Sequence, residues 1–226
     1  MRGMILAAGR GERLRPLTDH TPKPLLTIAG EPLIAHQVRW LAQADVRDIV
    51  INLHHLGDAI AAALGDGGAF GVRITYSREA TLLETGGGIV KALPLLGTEP
   101  FVILNGDTWT DYPFARLARS LGDDLAHLVL TPTPPNRTAG DFGFDGGRVT
   151  RGADRSFVYC GISLLSPHLF EGAPIGPFSL RDLLFGAIAD GRVSGELWNG
   201  RWIDIGTPDQ LAAVRRITSS PTGPHG

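Results

Sequence analysis

The sequence MILAAGRGER, residues 4–13, passes from an apolar run directly into a glycine-rich turn. Met4–Ala8 is typical of a short buried strand, and Gly9 and Gly11 mark its end. Prolines at positions 16, 22 and 24 predict a loop rather than a helix over 12–24. Ligands of open α/β sheets bind beyond the carboxyl ends of the strands, so this turn is a candidate binding segment.

Strand-like and helix-like segments alternate outward from this turn through the first half of the chain. Hydrophobic spacing predicts helices over 32–44, 57–64 and 85–93 and strands over 49–53, 72–76 and 101–104. These strands are continuous apolar runs, which is typical of a parallel sheet covered on both faces. The sequence therefore predicts an α/β protein with a Rossmann-like, mixed and mostly parallel sheet and with helices on both faces.

The second half of the chain is more mixed and predicts a small β-rich lobe. Its spacing predicts helices over 113–121, 178–189 and 208–217, strands over 125–130, 157–165 and 200–205, and a hairpin over 142–149. Because no repeat or linker divides the chain, we expect one domain over 1–218. A polar Pro/Gly segment over 219–226 predicts a disordered tail.

The composition excludes several classes of protein. The 226 residues carry 21 Lys plus Arg against 23 Asp plus Glu, which gives a formal net charge of -2, and no basic block occurs. We therefore expect neither a nucleic acid nor a membrane as partner. Cys160 is the one cysteine, which excludes an intrachain disulfide. Together with the lack of a signal-peptide core, it favours a cytoplasmic protein.

The glycine-rich turn and the loop after it have the composition of a phosphate-binding segment. Backbone N–H groups of such a turn can cradle phosphate oxygens, and Arg13 and Lys23 add positive charge. Lys23 is one of two lysines among 21 basic residues and lies between Pro22 and Pro24. The spacing is neither that of a P-loop nor that of the GxGxxG fingerprint. The alternative is an ordinary turn with a solvated Arg and Lys.

Two carboxylates follow predicted strands. Asp107 comes just after the strand over 101–104, and Asp204 lies where a strand meets the start of a helix. Either aspartate alone is more typical of a loop cap. Together, beside a phosphate-binding loop, they could hold one or two Mg²⁺ ions against a polyphosphate.

A second glycine-rich segment, 79–88, could contact a flat base or a ribose. Glycines at the start of a helix permit close approach, and Glu84 could supply a directional hydrogen bond. The alternative is a flexible surface turn. Trp109 and Trp202 are each within two residues of a candidate metal ligand and are candidate platforms for a sugar ring. Cys160 lies in an apolar strand and is expected to be inert.

At these segments the sequence resembles the sugar-nucleotide pyrophosphorylases, which are nucleotidyltransferases that act on sugar 1-phosphates. The matching segments, in chain order, are LAAGRGERLRPLT (6–18), PKP (22–24), LETGG (83–87), NGD (105–107), YCGI (159–162) and WIDIGTP (202–208). LLETGGGI (82–89) and GDTWTDY (106–112) further resemble members that transfer a uridylyl group from UTP to N-acetylmuramate 1-phosphate in peptidoglycan recycling.

The resemblance implies a mechanism and a role for each matching residue. An oxygen of the sugar 1-phosphate would attack the α-phosphorus of the nucleotide, and pyrophosphate would leave. Arg13 and Lys23 would be catalytic, and Asp107 and Asp204 would bind Mg²⁺. The implied nucleotide-binding residues are Leu6, Ala8, Gly9, Gly11, Glu12, Arg13, Glu79, Leu83, Glu84 and Gly86. The implied sugar-binding residues, which would make the β-rich lobe the sugar-binding one, are Asn105, Gly143, Gly161 and Trp202.

Several alternatives stay open on the sequence alone. The protein could be a mannose- or heptose-1-phosphate guanylyltransferase, or a glucose-1-phosphate thymidylyl- or uridylyltransferase. A regulatory subunit that binds nucleotide sugars without catalysis is disfavoured, because all four implied catalytic and metal residues are present. The chain ends soon after the last predicted helix, without room for the trimeric β-helix domain of bifunctional relatives. We therefore expect a monomer.

Overall fold

A computed structural model describes residues 1–135, 137–152 and 155–219. Its helices are α1 (Leu33–Gln43), α2 (Gly57–Leu64), α3 (Glu84–Leu96), α4 (Leu180–Ala189) and α5 (Pro208–Ser219). Its strands are β1 (Arg2–Leu6), β2 (Thr27–Ile28), β3 (Glu31–Pro32), β4 (Asp48–Leu53), β5 (Arg73–Arg78), β6 (Phe101–Asn105), β7 (Thr108–Thr110), β8 (Ala126–Pro132), β9 (Gly143–Asp145), β10 (Arg148–Thr150), β11 (Phe157–Leu165), β12 (Val193–Leu197) and β13 (Trp202–Asp204).

Nine strands form one sheet in the order β5-β4-β1-β6-β11-β8-β12-β10-β9. The first four of these are mutually parallel, and β11 is antiparallel to both of its neighbours. In the described part of the chain, only β11 and β10 run against the direction of the other strands of this sheet. The predicted mixed, mostly parallel sheet is therefore confirmed, and its β-rich second half continues the same sheet.

Helices cover both faces of the sheet, as predicted. Adjacent residues of β1 point to opposite faces, so Ile5 packs with α1 and α2 whereas Met4 packs with α3 and α4. A third apolar cluster lies under α5 and contains Leu14 and Ile205, both fully buried. These two residues are the direct neighbours of Arg13 and Asp204, so the third cluster fixes the backbone of two predicted site residues.

Most predicted elements agree with the structure to within three residues, but the helix predicted over 113–121 is wrong. That region has only a short 3-10 turn, Phe114–Arg116. Phe114 stacks on Trp40 of α1, with ring centroids 6.0 Å apart, and Leu117 is also buried. Packing of single side chains against α1 therefore outweighs the weak helical spacing.

The strands β2, β3, β7 and β12 were not predicted. In β12 the central residue is Gly195, which weakens any strand pattern in the sequence. A Cβ at this position would come within 3.0 Å of the Leu128 carbonyl oxygen on β8, so the close pairing of β12 with β8 requires glycine.

Two further observations concern the ends and surface of the fold. Helix α5 ends at Ser219, which the sequence assigned to the tail, and residues 220–226 lie outside the described residues. Among the described helices, none combines the length and the apolar character needed to cross a membrane.

Candidate active site

The candidate site lies where the chain changes direction across the sheet. From β1 the chain builds β4 and β5 on one side, and it then crosses to β6 on the other side. Such a switch point leaves a crevice at the carboxyl ends of the strands. Leu6 of β1 is level with Asn52 of β4 and Asn105 of β6. The ends of these three strands therefore form one floor.

Two clefts share this floor. The glycine-loop cleft has a volume of about 240 Å³ and is lined by Leu6–Gly9, by Lys23, and by Leu82, Glu84 and Thr85 at the start of α3. The tryptophan cleft has a volume of about 270 Å³ and is lined by Trp202, Gly161 and the start of α4. Thr85, Asn105 and Asp107 line both clefts. A molecule in one cleft would therefore meet a molecule in the other cleft at Asp107.

Lys23 and Asp107 form an ion pair at the junction of the clefts. The Lys23 Nζ donates a hydrogen bond to Asp107 Oδ2 over 2.7 Å, and the lysine side chain is only 12% exposed. Pro22 and Pro24 flank the lysine in a 3-10 turn, Lys23–Leu25. The Lys23 ammonium group is thus largely desolvated. Its interactions with other charges are therefore stronger than they would be in water.

Asp204 faces Asp107 across the two-stranded sheet of β13 and β7. The Ile205 N–H donates to the Asp107 carbonyl over 2.9 Å, which holds the two segments together. Burial raises the pKa of the Asp204 carboxyl above its ordinary value, and the nearby Asp107 charge raises it further. The positive charges of Lys23, Arg13 and Arg137 act in the opposite direction.

The two carboxylates fit a divalent cation. Asp204 Oδ1 is buried and has no hydrogen-bond partner among the described residues. Mg²⁺ is usually bound by one or two carboxylates together with waters and substrate phosphates. Within the described residues there is no group of three or more His, Cys, Asp or Glu side chains that could hold a metal ion. A cation at Asp107 and Asp204 would therefore need further oxygen ligands from waters or from a substrate.

The glycine-rich turn is shaped by Gly11, which has a left-handed φ of 63°. A Cβ on Gly11 would lie 3.0 Å from Thr18 Cγ2 and 3.2 Å from Lys23 Cβ. The Thr18 hydroxyl donates to the Gly11 carbonyl over 2.9 Å. Both the conformation and the close packing therefore require glycine, and the packing places Lys23 against the turn.

Arg13 lies on the outer side of the same loop. Its guanidinium packs against Gly206, where a Cβ would come within 3.0 Å of it. Arg13, Lys23, Glu12 and Gly206 line a groove that shares Lys23 with the glycine-loop cleft. The structure therefore brings together the predicted residues Gly11, Glu12, Arg13 and Lys23 beside Asp107.

Glu79 lies behind the glycine-loop cleft. It is buried, and its carboxylate accepts hydrogen bonds from Asn52 Nδ2 over 2.7 Å and from the Leu83 N–H over 3.1 Å. Asn52 in turn accepts one from the Ala7 N–H over 2.8 Å. Glu79 thus links the segment before α3 to the end of β1 through Asn52. It lines neither cleft, and its predicted contact with a nucleotide stays a prediction.

The second glycine-rich segment serves packing within the protein. Gly86 donates its N–H to the Phe178 carbonyl over 2.9 Å, and a Cβ on Gly86 would overlap the Phe178 ring. Gly86 lines neither cleft, and its predicted contact with a nucleotide stays a prediction. Glu84 is different, since it lines the glycine-loop cleft and has a left-handed φ of 59°. Non-glycine residues in this conformation are concentrated at functional sites.

Predicted sugar-side residues fall into two groups. Asn105, Gly161 and Trp202 all line the tryptophan cleft. The Trp202 indole N–H donates to the Cys160 carbonyl over 2.8 Å, which fixes the ring beside Gly161. Gly143 lies in β9 and does not line this cleft, whereas its neighbour Phe142 does.

The prediction that Trp109 is a platform for a sugar ring is wrong. The residue is only 9% exposed and belongs to the apolar cluster under α5. The thiol of Cys160 is buried as expected, and burial raises its pKa.

Sequence reasoning missed several residues of the tryptophan cleft, among them Arg137, Asp141, Tyr159 and Arg181. Arg137 Nη2 lies 3.6 Å from Asp204 Oδ2, and Asp141 accepts a hydrogen bond from the Tyr159 N–H over 3.1 Å. These residues come from loops, β11 and α4, which are distant in sequence. Apart from Tyr159, which begins the YCGI segment, none is in a recognisable motif, so no local signal was available.

Comparison with known proteins agrees with this geometry. The profile of the nucleotidyl transferase family matches residues 2–151. The chain therefore belongs to the nucleotidyl transferase family, as the sequence resemblance predicted. It is 44% identical over 229 residues to N-acetylmuramate alpha-1-phosphate uridylyltransferase of Neisseria meningitidis serogroup B, covering 97% of this chain and 99% of that protein. It is 36% identical over 234 residues to the protein of the same name from Caulobacter vibrioides, covering 96% and 97% respectively.

A crystal structure from Bacillus anthracis, a protein provisionally assigned as a glucose-1-phosphate thymidylyltransferase in complex with a sucrose, has the same fold. It superposes with a TM-score of 0.88 at 24% identity, covering 99% of this chain and 98% of that one. At this identity the likeness concerns the fold alone.

Proposed function

We propose that the protein transfers a uridylyl group from UTP to N-acetylmuramate 1-phosphate and releases pyrophosphate. The observation that carries this proposal is the Lys23–Asp107 pair at the point where two clefts meet, with Asp204 near enough for their charges to shift its pKa. Direct transfer of a nucleotidyl group from one substrate to another requires a point that both substrates reach. The choice of uridine and of this sugar is supported by the relatives from Neisseria and Caulobacter.

In this proposal the glycine-loop cleft holds the nucleoside triphosphate and the tryptophan cleft holds the sugar 1-phosphate. An oxygen of the sugar phosphate forms a bond to the α-phosphorus. The bond from that phosphorus to the bridging oxygen breaks, and the electron pair leaves with pyrophosphate. No covalent intermediate and no general base are needed, because the attacking oxygen is already ionised. The protein therefore acts by positioning and by neutralising charge.

Lys23 contacts the shared floor and is the residue that can hold both the incoming phosphate and the α-phosphate. Arg13 lies further along the groove and would bind the β- and γ-phosphates of the departing pyrophosphate. Backbone N–H groups of the Gly9–Gly11 turn would bind phosphate or ribose, and Glu84 would bind the ribose or base. Asp107 and Asp204 would hold Mg²⁺, which when bound supplies charge that polarises the α-phosphate.

We also propose that the enzyme works in peptidoglycan recycling in the cytoplasm, as a monomer. The product expected from the reaction is a UDP-activated amino sugar that carries a carboxylate. All groups assigned to the reaction come from a single chain, so the reaction needs no residue from a second copy.

The proposal is tested by a pyrophosphate-release screen with purified protein. Four common nucleoside triphosphates and dTTP are crossed with several sugar 1-phosphates, with Mg²⁺ or with EDTA. Release with UTP and N-acetylmuramate 1-phosphate that disappears in EDTA is the expected result. Release with GTP and mannose or heptose 1-phosphate would keep the mechanism and replace the substrates. Tight binding of a nucleotide sugar without release from any pair would identify a regulatory protein instead.

A further inference from the structure

Arg181 is a cation of the tryptophan cleft that the reaction described above does not use. It lies in the first turn of α4, lines the cleft and is exposed. Its guanidinium has no ion pair and no hydrogen bond to any residue of the described ranges. Arg137, the other arginine of this cleft, lies within 4.0 Å of both Asp204 and Asp141, so its charge is already partly balanced.

The position of Arg181 is fixed by the fold. The N–H of Leu180 donates to the Thr85 hydroxyl over 2.9 Å, which ties the start of α4 to the floor shared by the two clefts. The Arg181 N–H donates to the Ser179 side chain, which caps the helix. These hydrogen bonds therefore hold Arg181 at the start of a helix, in the cleft that the proposed function assigns to the sugar.

The cleft that Arg181 lines contains apolar as well as polar side chains. Leu184 is one helical turn further along α4 and is 2% exposed, and Phe142, which packs on Phe185 of the same helix, is equally buried. A guanidinium beside an apolar wall suits a substituent that joins a carboxylate to an alkyl group. A neutral hydroxyl of a sugar ring would accept only a single and weaker hydrogen bond from this group.

We propose that Arg181 is a specificity residue that binds a second anionic group of the sugar 1-phosphate, namely the carboxylate of its lactyl ether. This inference rests on the proposed function, which places the sugar in the tryptophan cleft. The 1-phosphate itself is bound by Lys23 at the junction, so Arg181 is free for the far end of the sugar. Its planar group can bind a carboxylate through two parallel hydrogen bonds, which a lysine cannot reproduce.

The test compares three substrates with UTP held at saturation. N-acetylmuramate 1-phosphate carries the lactyl carboxylate, N-acetylglucosamine 1-phosphate is the same sugar without it, and glucose 1,6-bisphosphate carries a second phosphate instead. The variants are Arg181→Met, Arg181→Lys and a control, Arg73→Met, which removes an exposed arginine of β5 paired with Asp48. Where turnover of a sugar is too slow to measure, its inhibition constant against N-acetylmuramate 1-phosphate is determined instead.

Arg181→Met is expected to lower kcat/KM for N-acetylmuramate 1-phosphate by roughly 10- to 100-fold, as for loss of a charge-assisted hydrogen bond. The loss should lie mainly in KM, because the lactyl group is bound equally well before and during the reaction. N-acetylglucosamine 1-phosphate should change by less than about threefold, which is within the range of an exposed substitution. Arg181→Lys should recover part of the loss, and Arg73→Met should match the wild type.

Two outcomes would overturn the assignment while leaving the proposed function intact. The first is an equal loss with both N-acetylated sugars, which would make Arg181 a structural residue or a general phosphate contact. The second is a wild-type preference for the bisphosphate that Arg181→Met removes, which would make the second anion a phosphate. Failure of the proposed function is distinguishable, because it would show in the wild type as no transfer to N-acetylmuramate 1-phosphate.

Discussion

Gly9 of the glycine-rich turn and the glycine triplet over 86–88 look alike in the sequence but have different surroundings in the structure. A Cβ on Gly9 would have no protein atom within 4 Å, and Gly9 lines an open cleft. A Cβ on Gly86, Gly87 or Gly88 would in each case come within 3.0 Å of another part of the protein. At Gly9 glycine therefore leaves room for a ligand, whereas in the triplet, as at Gly11, it leaves room for the protein's own chain.

The largest expected effect tests whether the first segment is the catalytic one. Lys23→Met should lower turnover by roughly 10²-fold or more, because it removes a preorganised charge at the junction of the clefts. The measurement is the steady-state rate of pyrophosphate release. Lys91→Met is the matched control, since Lys91 is the other lysine and, among the described residues, donates only to the Arg78 carbonyl on the surface. Equal rates for the two folded variants would contradict the catalytic role of Lys23.

The next effect tests whether the triplet serves packing. Gly87→Ala should lower the free energy of unfolding by roughly 1–3 kcal/mol, because the methyl group would overlap the backbone oxygen of Gly176. Urea unfolding followed by circular dichroism measures this change. Gly186→Ala on α4 is the control: it has open space around it and should instead raise the stability by up to about 1 kcal/mol. Unchanged stability in Gly87→Ala would remove the difference between the two segments.

Gly9→Ala examines the other side of the comparison. Its stability should stay within about 0.5 kcal/mol of the wild type, because the methyl group projects into open space. The KM for the nucleoside triphosphate should rise by roughly tenfold, since the methyl group occupies the position that a ligand would take beside the backbone. If KM is unchanged and Gly9→Ala is fully active, the nucleotide does not approach this turn.

The smallest effect concerns Glu84, which lines the glycine-loop cleft although it lies two residues before the glycine triplet. Its left-handed backbone is costly for a side chain, so Glu84→Gly should leave the stability unchanged or raise it by up to about 1 kcal/mol. The KM for the nucleotide should rise if the carboxylate contacts the ribose or base. A marked loss of stability, measured by the same urea titration, would show instead that the Glu84 side chain supports the fold.

Local features of the sequence predicted much of the fold. The helix over 57–64 and the strand over 157–165 have the predicted bounds, because hydrophobic spacing and flanking glycines are properties of neighbouring residues. The helix predicted over 113–121 was wrong because Phe114 and Leu117 pack individually against distant elements. β12 was missed because its pairing with β8, rather than its own residues, makes it a strand.

The candidate site divides in the same way. Lys23, Asp107 and Asp204 follow strands or prolines in recognisable segments, so their neighbourhood could be predicted. Arg137 and Arg181 could not, because they reach the tryptophan cleft only through the folding of loops and α4 onto the sheet.

The sequence by itself determined the α/β class, the family and the residues at the junction of the clefts, since these depend on short-range patterns. The tertiary structure decided which glycines face open space, that Glu79 lies behind the cleft, and that Trp109 is in the core. It also placed Arg181 in the same cleft as Trp202 and Asp204. The physical reason is that burial and charge pairing depend on atoms brought together from distant parts of the chain, and no local pattern records them.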